Sequence, residues 1–73
     1  MNLESKATVC YMLAKQKAGG TKKFFQSPLE QRKVFVINQV RDIFVDSSAL
    51  EQRKVMARAL EITVKDKLEN YPQ

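Results

Sequence analysis

Apolar residues recur along this chain at helical rather than alternating spacing. From Leu29, at 100° per residue, the side chains of Leu29, Val36, Ile37, Val40, Ile43 and Phe44 fall within an arc of about 120°, which predicts an amphipathic helix. Val34, Phe35 and Val45 lie off that arc. Further on, Leu50, Ala57, Val64 and Tyr71 recur every seven residues, widened by Leu60 and Leu68, while Val55, Ala59 and Ile62 make a separate stripe. A helix with two apolar stripes needs two neighbours. Near the start, Leu3, Ala7, Cys10 and Ala14 share a line flanked by Val9 and Leu13. Residues 8 to 13 also admit a strand, because Val, Cys and Tyr are modest helix formers; the longer periodicity favours helix.

The breaks between these segments carry start and stop signals. Ser27-Pro28-Leu29-Glu30 offers an N-cap, a proline at the first helical position and a glutamate to return the capping bond, and Ser48-Ala49-Leu50-Glu51 repeats the device. Both run on identically: Leu29 to Val34 and Leu50 to Val55 are the same hexapeptide, Leu-Glu-Gln-Arg-Lys-Val, 21 residues apart. As a solvated first turn with Glu–Lys pairs, the hexapeptide is a weak binding motif. Asn2 is a candidate cap for the first helix, and Gly19-Gly20 a candidate stop.

The expected fold is therefore all-α: one helical domain over residues 1 to 73, with helices over 3–18, 28–45 and 49–71 and a basic loop over 18–27. The short connection Asp46-Ser47-Ser48 implies an antiparallel hairpin of the last two helices, with the Leu50–Ala57–Val64 line against Phe44, Ile37 and Leu29. Phe24-Phe25 would then cover the overhanging end of the third helix near Leu68 and Tyr71.

Composition narrows the chemistry. One cysteine and no histidine exclude an internal disulfide and a Cys/His zinc site. The apolar runs Val9–Ala14 and Val34–Ile37 are far short of the roughly 20 residues that cross a bilayer, and the start lacks a signal-peptide layout, so a cytoplasmic protein with no membrane partner is expected. Cys10 has no neighbouring base to activate it and lies on an apolar stripe, and the carboxylates stand singly among basic residues. Lys22 and Lys23 follow Gly19-Gly20, yet a phosphate-binding loop needs its last glycine directly before Lys-Ser/Thr and a strand ahead of it. Accordingly no enzyme, cofactor or metal is expected.

Charge is the remaining signal. The net charge is +5, of which residues 1 to 26 hold +4, and Lys15, Lys17, Lys22 and Lys23 crowd nine positions just before Phe24-Phe25. Two uses follow: an acidic protein partner, steered by the lysines and anchored by Phe24, Phe25, Val34 or Phe35, or nucleic-acid phosphates contacted by the four lysines with little base specificity. Residues 7 to 40 make a poor helix-turn-helix, since the gap from Gly19 to Pro28 exceeds a short turn, although Gln31, Arg32, Asn38, Gln39 and Arg41 could read bases. Apolar positions exceed what one hairpin buries. The expected function is therefore a small regulatory or adaptor protein that binds another protein. The alternatives are a nucleic-acid-binding regulator and a homo-oligomeric structural protein; a homodimer would use the heptad line, against which Arg53 and Lys67 stand.

Overall fold

Asn2 starts the first helix by accepting a hydrogen bond from the Ser5 amide at 2.8 Å. In the computed structural model, which describes residues 1 to 66, this helix, α1, runs Leu3–Lys17 and so takes in residues 8 to 13. It stops at Ala18 through two bonds that reach back over the last turn. The Gly20 amide donates to Lys15 O at 2.9 Å and the Gly19 amide to Gln16 O at 3.0 Å. The reversal holds Gly19 at φ 103° and Gly20 at φ 115°, where a Cβ is strained.

The expected loop over residues 18 to 27 contains a further helix, α2, Thr21–Gln26. It has no side-chain cap and only six residues, so local signals for it are weak. Burial organises it: Phe24 is 0% exposed, edge-on to Tyr11 with ring centroids 5.5 Å apart and to Phe25 at 5.4 Å. Ser27, held extended ahead of Pro28, ends it.

Next come α3, Leu29–Ile43, and α4, Ala49–Lys65, both shorter than expected. Asp66 leaves the helix with ψ 129°, so α4 does not continue unbroken to 71; the remainder of that span, with Leu68 and Tyr71, lies outside the described residues. The two capping signatures also diverge. Ser48 accepts from the Glu51 amide at 3.1 Å, whereas the Ser27 hydroxyl donates to Lys23 O at 3.2 Å and leaves α3 without a side-chain cap. The α2 turn has taken Ser27's hydrogen bond. We predict that Ser48→Ala lowers stability by about 1 kcal/mol and Ser27→Ala by only a few tenths, as read from urea unfolding midpoints.

All four elements being helical, the domain is all-α among its described residues. Helix α1 packs on both α3 and α4, and these pack on each other. The core is Ala7, Cys10, Tyr11 and Ala14 of α1, Phe24 of α2, Val36 and Val40 of α3, and Val55 and Ala59 of α4, joined by buried Gln39 and Thr63. Three alanines in this seam let the helices approach closely. Thr63 is satisfied by donating to Ala59 O at 2.7 Å.

The burial reverses the expected facing of the third helix. Val55 and Ala59 are its core residues, whereas Leu50, Ala57 and Val64 are exposed and point away from the bundle. Phe24 packs edge-on to Tyr11, while the expected cover of Leu68 and Tyr71 by Phe24-Phe25 lies outside the described residues.

Candidate partner-binding face and basic end

Polar links set how α4 lies on α1, and hence which way its outer side looks. Arg58 donates through Nε and Nη2 to the two oxygens of Glu4 at 2.6 and 2.9 Å, and Lys6 Nζ meets Glu51 Oε1 at 2.5 Å. Tyr11 Oη donates to Asp66 Oδ2 at 2.7 Å. These contacts place the start of α1 beside the start of α4. The Arg58 guanidinium holds the Glu4 carboxyl below its ordinary value, and the Lys6 ammonium does the same for Glu51.

A carboxyl lowered in this way contributes stability that is fully present above its ordinary value, near 4.5, and is lost as pH falls through the lowered one. Stability should therefore decline on acidification below about pH 4.5, and a Glu4→Gln, Glu51→Gln double variant should decline less over the same range. Thermal melts of both proteins across that range check the difference.

With the inner side of α4 committed, its outer side carries Leu50 at 59% exposure and Val64 at 50%, with Ala57 between them. A shallow groove of about 380 Å³ lies along it, lined by Ala57, Leu60, Glu61, Val64 and Lys65 and closed on one side by Lys33. Lys33 is near the start of α3, so this end of α3 lies beside the end of α4. Glu61 in the groove accepts from Arg58 Nη1 at 3.2 Å and sits 4.0 Å from Lys65 Nζ. Lys33 Nζ is 3.3 Å from Glu30.

The four apolar side chains expected to anchor a partner have separate fates. Phe24 is core and cannot reach a partner without unfolding its helix. Phe25 is half-buried, with the Arg32 guanidinium 5.2 Å from its ring centroid, and Phe35 packs against the core. Val34 alone is free, at 46% exposure. The surface that sequence reasoning undervalued is the heptad line itself, whose spacing was visible and whose facing was not.

The lysines gather at one end. Lys15 and Lys17 close α1, Lys22 and Lys23 lie on α2, and the fold brings Arg32, Lys33 and Lys65 to the same end, where Glu30, Glu61 and Asp66 are the acids among the described residues. Lys15 lies 4.9 Å over the Tyr11 ring, while Lys17, Lys22 and Lys23 are exposed. Of the side chains expected to read bases, Gln39 is buried and Arg32 is stacked on Phe25, which leaves Gln31, Asn38 and Arg41 exposed.

Cys10 is fully buried, and burial pushes its thiol up, so it stays protonated at neutral pH. Among the described residues no cluster of His, Cys, Asp and Glu could hold a metal ion, and no helix is long and apolar enough to cross a membrane. No protein-family model matches the chain, and no curated protein and no solved structure is significantly similar to it.

Proposed function

We propose that this chain is a small non-catalytic regulatory or adaptor protein that works by binding another protein in the cytoplasm. The exposure of Leu50 and Val64 carries the reading: they stand on the outer side of a helix whose inner side already supplies Val55, Ala59 and Thr63 to the core. Apolar residues aligned at heptad spacing on a helix face that is open among the described residues suit association more than the domain's own stability. The buried protonated thiol of Cys10 suits a reducing compartment and offers no nucleophile.

The test is affinity purification of the tagged protein from its native cells with nuclease present, alongside a Leu50→Asp, Val64→Asp double variant. A partner retained by the wild-type chain and lost by a still-helical variant is the expected result. Recovery of the same proteins by both would sink the reading.

A second reading, binding to nucleic-acid phosphates, is favoured by one observation: the fold adds Arg32, Lys33 and Lys65 to the lysine cluster. Retention on random duplex or single strands should then fall steeply with salt, and changing Lys17, Lys22 and Lys23 to Gln should reduce the salt slope by about 2 to 3. No retention at low salt removes it.

A further inference from the structure

Association through the outer side of α4 leaves open what lies against it, and the charges around that side select the occupant. We infer that the groove accepts an acidic amphipathic helix of a partner protein; this rests on the protein-binding reading above. The apolar line from Leu50 to Val64 spans about 21 Å at 1.5 Å per residue, matching roughly four turns of a partner helix. Ala57 at its middle lets a second helix come within the usual 8 to 10 Å of axis separation (roughly).

The rim is basic. Arg53 stands on the line between Leu50 and Ala57, Lys54 lies one residue on, and Lys33 and Lys65 border the groove; the acids beside them among the described residues are Glu61, in the groove, and Glu30, 3.3 Å from Lys33. Glu61 is already engaged by Arg58 and Lys65, and Glu30 by Lys33, whereas Arg53 and Lys54 make no salt bridge among the described residues, Lys54 acting on Glu51 only through its field. A partner with apolar residues at i, i+3 or i+4 and i+7 and carboxylates on both flanks would fill the seam and neutralise the rim together.

A second copy of this chain fits less well. Antiparallel pairing centred on Ala57 would set Arg53 against Glu61 of the other copy, but it would also bring the two Lys54 within about 9 Å of each other along the axis. A phosphate backbone matches the rim but has nothing for the apolar seam.

Three synthetic amphipathic helices of about five turns, identical in their leucines and carrying Glu, Gln or Lys on the flanks, are titrated against the full-length protein by fluorescence anisotropy. The Glu peptide should bind at least about tenfold tighter than the Gln peptide, with the Lys peptide weakest and the advantage shrinking as salt rises. Leu50→Asp with Val64→Asp should abolish binding. Arg53→Glu with Lys54→Glu should shift the preference toward the Lys peptide. Equal binding of all three peptides overturns the inference. So does a mass near twice 8.4 kDa in solution, which assigns the face to a second copy. Tighter peptide binding by a Leu68→Ser, Tyr71→Ser variant also overturns it, by assigning the face to the chain's own end. If no peptide binds while the Leu50→Asp, Val64→Asp variant still loses its cellular partner, the acidic-helix inference fails and the protein-binding reading stands.

Discussion

Replacing Phe24 with alanine should cost this domain about 3 to 5 kcal/mol, enough to leave little folded protein at room temperature. Among the described residues Phe24 is the largest fully buried side chain, and it is the buried residue of α2, with half-buried Phe25 packed beside it. Its ring meets Tyr11 and Phe25 edge-on, so truncation removes transfer energy, leaves a cavity and dissolves two aromatic pairs. Because so short a helix has no independent stability, α2 should melt with the loss and expose Tyr11 beside it. Small domains start from only a few kcal/mol of total stability. Urea unfolding followed by far-ultraviolet circular dichroism should show the transition near or below zero denaturant, while Phe24→Leu, closer in volume, should keep a cooperative transition. A Phe24→Ala protein as stable as the wild type would mean that the ring is dispensable to the core. The exposed Val34→Ala substitution, by contrast, should move the midpoint little, by less than about 0.5 kcal/mol.

What could be read beforehand follows from where the information resides. Helical periodicity and caps are local, so α1, α3 and α4 were legible, as were the stops at Gly19-Gly20 and Asp46-Ser47-Ser48. α2 was not, because Thr21 to Gln26 has neither cap nor periodicity and is ordered by a contact between Phe24 and Tyr11, 13 positions away. The identical hexapeptides show the same limit. Val34 is exposed and Val55 fully buried although their local sequences match, because α1 lies on one helix face and not on the other. Tertiary packing decides what a repeated pattern does. The candidate site was half legible: the lysine cluster was evident, but the residues that join it, Arg32, Lys33 and Lys65, arrive from α3 and α4 only once the chain is folded.

The two apolar stripes of α4 allow one substitution to report on both faces. Val55→Asp should abolish the folded state, whereas Val64→Asp should leave it cooperative and within about 1 kcal/mol of the wild type. Val55 is 0% exposed between Cys10-bearing α1 and α3, so a carboxylate there would lose its hydration, and none of the surrounding core side chains is a cation that could pair with it. Burying an unpaired charge costs several kcal/mol even when the group takes up a proton, which matches or exceeds the whole stability of a domain this size. Val64 is 50% exposed, one residue from Lys65. An aspartate there keeps its water and loses only part of a valine's burial, together with an unfavourable interaction with the helix C-terminus. The comparison separates structure from association within one helix. If Val64→Asp unfolds the domain as Val55→Asp does, the outer line belongs to the core and the docking face loses its basis. If it folds but no longer retains the partner, the same chemistry that destroys one face of α4 merely silences the other.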